Sequence, residues 1–117
     1  MGRKKTKQPR VFVVQSQLLK DGLPKYDLTP AEEYGELVYL LGHEHKPWNT
    51  DDVLTSLRDT MHDFDEHDFL LPIGNPMFIG LASIVASEAS PIVKFLLWSG
   101  REQRYLPGEA NLDGEPE

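Results

Sequence analysis

Three consecutive residues, Gly74-Asn75-Pro76, combine types that could bind an anion. They follow an apolar run over residues 69–73, which predicts a buried strand, and precede an apolar run that predicts a helix. Asn75 is suited to cap that helix, with Pro76 at its first position. The free amides and the dipole of a helix N-terminus favour a phosphate, and Ser99 could approach from the neighbouring strand. The sequence therefore predicts either a plain helix cap or a nucleotide- or phosphate-binding site formed by these residues.

Two histidine-containing stretches suggest metal chemistry. His43 and His45 have the spacing of a weak zinc or nickel site, and residues 62–68 add two more histidines among acidic side chains. Acidic surface loops often have this composition, and the spacing fixes no third ligand. We therefore predict no metal site and no cofactor.

Glu32, Glu33 and Glu36 suggest paired carboxylates for acid–base catalysis. The residues Thr29-Pro30-Ala31-Glu32 also predict a capping box. The Glu32 side chain would then be hydrogen-bonded at a helix N-terminus rather than available for catalysis. The chain shows neither the repeated glycines of a dinucleotide loop nor a Gly-Lys-Ser/Thr ending. We expect a protein that is not an enzyme.

Charge is distributed unevenly along the chain, whose net charge is −7. Five of the twelve basic residues lie at the start: Arg3, Lys4, Lys5, Lys7 and Arg10. The remainder is strongly acidic, which disfavours contact with nucleic acid. We expect residues 1–9 to form a disordered basic arm. The five basic residues then either contact nucleic acid or form a solvated tail.

The elements that must position these residues alternate between strand and helix. The patterns over residues 10–107 predict a single α/β domain with a largely parallel sheet of four to five strands, in two or three layers. It has two main helices, one short helix and a C-terminal β-hairpin, whose last strand spans residues 101–106 and ends at Pro107. Trp98 and Tyr105 form either an aromatic patch for a partner or part of the core edge. Residues 108–117 are predicted to be a disordered acidic tail.

Residues 69–87 carry no charge over nearly the length of a membrane span. Pro72 and the Gly74-Asn75-Pro76 corner would break such a helix, so a buried strand, turn and helix is the better interpretation. Cysteine is absent, which excludes disulfides and thiolate chemistry. The sequence shows no secretory leader, and we predict no contact with a membrane.

Several blocks of the chain together resemble an uncharacterised family of small α/β proteins encoded by tailed bacteriophages. The blocks are Tyr26-Asp27-Leu28-Thr29-Pro30-Ala31-Glu32-Glu33-Tyr34-Gly35-Glu36-Leu37-Val38, Asp68-Phe69-Leu70-Leu71, Gly74-Asn75-Pro76, Leu97-Trp98-Ser99-Gly100 and Arg104-Tyr105-Leu106-Pro107. The resemblance covers about residues 11–112, and no activity or catalytic residue comes with it. It implies a phage origin and action in the bacterial host cytoplasm.

We therefore expect a phage accessory protein that binds a host or phage macromolecule. A protein partner could bind the acidic surface or the edge of the C-terminal hairpin. The alternative is a small nucleotide- or phosphate-binding module that uses the Gly74-Asn75-Pro76 corner. We expect a monomer or a homodimer.

Overall fold

The fold is built around a central strand, β1, whose β-branched and aromatic residues are buried on both faces. A computed structural model describes residues 8–114 of the chain. The elements follow in the order β1 (Arg10–Gln15), a 3₁₀ helix (Thr29–Tyr34), β2 (Glu36–Leu41), α1 (Thr50–Thr60), β3 (Phe69–Leu71), α2 (Pro76–Ala89), β4 (Ile92–Ser99) and β5 (Arg104–Asn111).

The five strands form one sheet in the order β2-β1-β3-β4-β5. The first four run parallel, and β5 returns antiparallel to β4. The predicted α/β class, parallel sheet and C-terminal hairpin are therefore confirmed. The order is that of flavodoxin-like doubly wound sheets, with the difference that the fifth strand is antiparallel.

The two faces of the sheet carry separate apolar layers because successive side chains of β1 point to opposite sides. Phe12 and Val14 pack with α1 and α2 on one face. Val11 and Val13 pack on the other face with Ala31 of the 3₁₀ helix. The domain consequently has three layers: the helix pair, the sheet and the short helix.

The predicted start of α2 is confirmed. The Asn75 side chain accepts a hydrogen bond from the amide of Met77 at 2.8 Å, and Pro76 is the first helical residue. The predicted capping box at Thr29 is wrong, because the short helix is a 3₁₀ helix without a side-chain cap. Asp27 instead accepts a hydrogen bond from the Thr29 amide at 3.0 Å. Sequence spacing alone does not distinguish this turn from a capped α-helix.

The predicted end of the domain also needs correction. β5 does not end at Pro107 but continues to Asn111, paired with β4 down to Ile92, so the tail does not begin at residue 108. Proline is compatible with an edge strand, where its missing amide need not face a neighbour. Residues 100–103 form the turn rather than the start of the strand. Residues 115–117 lie outside the described part of the chain.

The uncharged stretch over residues 69–87 is divided between β3, a turn and α2. β3 ends at Leu71, earlier than predicted, because Pro72 has no amide to continue the ladder. Within residues 8–114, neither helix has the length and apolar character needed to cross a membrane.

A buried ion pair closes the amino ends of β1 and β3. Asp68 is fully buried and accepts hydrogen bonds from Nε and Nη2 of Arg10 at 3.3 and 3.0 Å and from the Arg10 amide at 3.1 Å. The Asp65 amide donates to the same carboxylate at 3.0 Å. Burial lowers the pKa of Arg10, but hydrogen bonds to Asp68 and Asp63 outweigh this effect and raise the pKa above its ordinary value. The guanidinium therefore stays charged and fixes the two strands together.

We expect Asp68→Asn to lower the free energy of unfolding by about 3 kcal/mol, because the pair loses its buried charge and Arg10 keeps the half-exposed Asp63 as its ionic partner. Urea denaturation measures the change. Asp63→Asn is the matched control, since the Asp63 side chain is 51% exposed, and it should cost less than about 1 kcal/mol. Equal losses in the two variants would contradict the role given to Asp68.

Candidate binding site at the carboxyl ends of the strands

Gln15, the last residue of β1, ties together the loops at the carboxyl ends of the parallel strands. Its side chain is 7% exposed, and Nε2 donates to the carbonyl of Gly42 at 3.3 Å. Oε1 accepts from the amide of Asn75 at 3.0 Å, and the Gln15 amide donates to the carbonyl of Ile73 at 3.0 Å. One side chain thus links the loop after β2 to the turn after β3.

The Gly74-Asn75-Pro76 corner packs directly against Gln15. Gly74 has φ +124°, and a Cβ there would lie 2.5 Å from the Gln15 Cβ. Gln15 holds the Asn75 amide, and the Asn75 side chain holds the Met77 amide. Pro76 has no amide to offer. A phosphate at this helix N-terminus would have to displace these internal partners.

Ser99, the fourth residue of the predicted ligand site, belongs to the C-terminal hairpin. It pairs with Arg104, and its hydroxyl accepts a hydrogen bond from the amide of Glu102 at 3.0 Å. The described grooves near Gly74 do not include Ser99, Arg101 or Arg104 among their lining residues. The structure gives Ser99 a role in the turn.

Three of the four histidines, His45, His62 and His67, have local partners in turns and loops. Nδ1 of His45 accepts from the amide of Gly42 at 3.2 Å, and Nδ1 of His67 lies 3.3 Å from a carboxylate oxygen of Asp65. Within residues 8–114, no group of three or more potential ligands has the geometry of a metal site.

Of the five basic residues at the start of the chain, Arg10 lies in the described part of the structure. Arg3, Lys4, Lys5 and Lys7 lie outside the described residues. Arg10 is the first residue of β1, and its guanidinium is held by Asp68 and Asp63. Arg10 is therefore part of the folded domain.

Two grooves flank the segment Tyr26–Asp27 at this end of the sheet. The first, here called the β2 groove, has a volume of about 660 Å³ and is lined by Leu18, Leu23, Tyr26, Asp27, Glu32 and Tyr39, among others. The second, the hairpin groove, has a volume of about 760 Å³ and is lined by Lys25, Tyr26, Asp27, Gly74, Trp98 and Tyr105, among others. Both volumes fall in the range of ligand and peptide sites.

Most of the exposed large apolar side chains lie around these grooves. Of the eleven large apolar side chains that are exposed in residues 8–114, six line one groove or the other. These six form what we call the apolar surface: Leu18, Leu23, Tyr26, Tyr39, Leu97 and Trp98. Exposed apolar side chains grouped around grooves are typical of an interaction site.

The sequence patterns do not indicate most of this surface, because residues 15–25 are largely polar and match neither a strand nor a helix pattern. That loop folds back on itself through a bridge between Leu18 and Pro24, and the Leu19 amide donates to the Leu23 carbonyl at 2.8 Å. Three leucines in a loop were the available signal. The proposed Trp98–Tyr105 patch is divided: the rings meet edge-to-face at 5.1 Å, but Tyr105 is buried and only Trp98 is exposed.

Asp27 supplies a fixed negative charge between the grooves. Hydrogen bonds from the side chain and the amide of Thr29 lower the pKa of Asp27, so the carboxylate is ionised at neutral pH. Burial, and next the charge of Asp27, raise the pKa of Tyr105 above its ordinary value of 10.0. The two groups therefore interact across the hairpin groove.

Together these features define a small doubly wound α/β protein with a grooved apolar surface at the carboxyl ends of its strands. The family model described as Phage Pam3 gp32-like protein matches residues 9–112, and the chain belongs to that family. The match confirms the phage origin that the sequence blocks implied. Neither the curated proteins nor the solved structures contain a match to the chain.

We expect Gly74→Ala to lower the free energy of unfolding by about 1–3 kcal/mol, because its backbone conformation is strained for any residue with a Cβ. Gly80 on α2 is the matched control, since a Cβ there meets nothing within 4 Å. Gly80→Ala should raise stability by about 0.5–1 kcal/mol. Thermal and urea denaturation measure both changes, and a neutral Gly74→Ala would show that the corner tolerates movement.

We expect Tyr105 to lose its proton only above pH 10.0, and the stability that its raised pKa contributes to be lost as pH rises further. Below that pH the contribution is fully present, because the folded state holds the proton more tightly. The tyrosinate absorbance of the wild type minus that of Tyr105→Phe isolates this group. Asp27→Asn should move the transition to lower pH, and an unmoved transition would contradict the interaction.

Proposed function

We propose that this phage-encoded protein acts by binding a protein of the host or of the phage, without catalysis, in the bacterial host cytoplasm. The observation that supports the proposal most strongly is the concentration of half-exposed side chains on the apolar surface. Exposed apolar groups at this density cost free energy in water, and a partner that covers them recovers it.

The composition of the apolar surface is that of a protein interface. Tyr26 and Trp98 are 47% and 50% exposed, and tyrosine and tryptophan are the residues that contribute most to binding hot spots. Each has a rigid ring, so little conformational entropy is lost on binding. The neighbouring leucines would exclude water around such anchors.

The contacts of the Gly74-Asn75-Pro76 corner favour a protein partner over the alternative, a nucleotide or phosphate ligand. The amides of Asn75 and Met77 already have acceptors. The hairpin groove, which Gly74 lines, is also lined by Lys25 and Asp27, and these opposite charges give the groove no preference for an anion. The nucleic-acid hypothesis has no support in the described residues, because Arg10 is paired within the domain.

We expect Tyr26→Ala with Trp98→Ala to reduce capture of the partner from a lysate of phage-infected cells at least tenfold, as loss of hot-spot residues does. Pull-down with the tagged full chain, quantified by mass spectrometry, measures capture. Trp48→Ala is the matched control, because Trp48 is 79% exposed and lines neither groove. Circular dichroism verifies that every variant is folded.

Two outcomes would contradict this proposal. Undiminished capture by the double variant would place the interface elsewhere on the molecule. A rise in melting temperature with nucleotides or phosphate that Asn75→Ala abolishes would support the small-ligand alternative instead.

A further inference from the structure

The sheet has two edge strands, and they are protected to different degrees. β5 contains Pro107, which has no amide hydrogen and so interrupts the row of backbone groups that a foreign strand would need. At the other edge, β2 pairs only with β1 in the described part of the chain. After Glu36 it continues with five uncharged residues and no proline. β2 is therefore the edge that is open to an additional strand.

The open strand lies beside the β2 groove. Leu37 and Tyr39, which alternate on one face of β2, both line this groove. A strand that pairs with β2 would place every second side chain on the same face, as the pleat requires. Backbone pairing and a side-chain pocket therefore occur together, which is the arrangement by which sheet edges recognise extended peptides.

The charge of the groove selects the kind of side chain that it would accept. Asp27 and Glu32 line it, and no lysine or arginine within residues 8–114 does. The nearest cation in the loop, Lys25, lines the hairpin groove and lies with Nζ 5.4 Å from the centre of the Tyr26 ring. Two carboxylates and the rings of Tyr26 and Tyr39 favour a cationic side chain with an apolar stem.

We propose, building on the proposed function, that β2 pairs with an extended segment of the partner protein that inserts a lysine or arginine into the β2 groove. A second copy of this chain is a poor occupant, because it would bring Glu32 and Asp27 towards an identical pair of carboxylates. The net charge of −7 adds to that repulsion and attracts a basic segment.

The proposal is tested with a defined probe, the capped peptide acetyl-Val-Arg-Val-Arg-Val-amide, titrated into the isotope-labelled full chain. We expect amide shifts and slowed hydrogen exchange in β2 together with shifts at Tyr26. The same peptide with methylated backbone nitrogens should not bind, because it cannot donate to the strand edge. Absence of β2 shifts up to millimolar peptide, or shifts located elsewhere, overturns the proposal.

The role of charge is tested separately. Asp27→Asn with Glu32→Gln should weaken binding of the probe about tenfold, the effect of losing one charge-assisted hydrogen bond. Asparagine retains the acceptor that Asp27 presents to Thr29, so the turn is preserved. Glu33→Gln is the matched control, because Glu33 has the same charge on the same 3₁₀ helix but does not line the β2 groove. Equal binding of a citrulline-substituted probe overturns the charge selection.

The failure of this inference is distinguishable from failure of the proposed function. If the Tyr26–Trp98 double variant loses the lysate partner but the Asp27–Glu32 double variant keeps it, the protein is a binding protein whose partner does not use the carboxylates of the β2 groove, and the inferred basic side chain is wrong. If light scattering shows a dimer whose β2 amides are protected without peptide, a second copy occupies the edge and the inference is wrong.

Discussion

The sheet depends on one buried carboxylate. A fully buried charge is costly unless it is paired, and Asp68 meets this requirement through the backbone and the guanidinium of Arg10. Arg10 begins β1 and Asp68 immediately precedes β3, so the pair fixes the register in which Val11 faces Phe69. Both apolar layers pack on these two strands, and their alignment follows from that register.

At the opposite end of the same strands, the neutral side chain of Gln15 holds the loops together. Gln15 satisfies the backbone of the Gly42 and Asn75 loops, so the polar groups between the strand ends are already paired inside the molecule. The rings and leucines that line the two grooves remain exposed to water at this end. The chemistry available at this end is therefore burial of apolar surface around a fixed carboxylate, Asp27.

The parts of this structure that could be predicted are those set by local rules. Proline after asparagine predicted the start of α2, and the alternation of strand and helix patterns predicted the parallel sheet. The partner of Asp68 could not be found in this way, because Arg10 is 58 residues distant and such pairs have no characteristic spacing. We predicted too early an end for β5 because of Pro107. Proline is tolerated in an edge strand, but the sequence does not show which strand lies at the edge.

The two sheet edges illustrate how a small acidic domain can remain selective while leaving one strand open. An unprotected edge usually invites self-association, and charge near the edge is one of the ways in which proteins prevent it. Here two carboxylates, those of Asp27 and Glu32, line the groove beside β2, and only the first residue of the strand, Glu36, is charged. Charge in that position leaves the backbone free to pair and opposes pairing with a second copy. In the binding mode that we propose, the same groups select a basic partner.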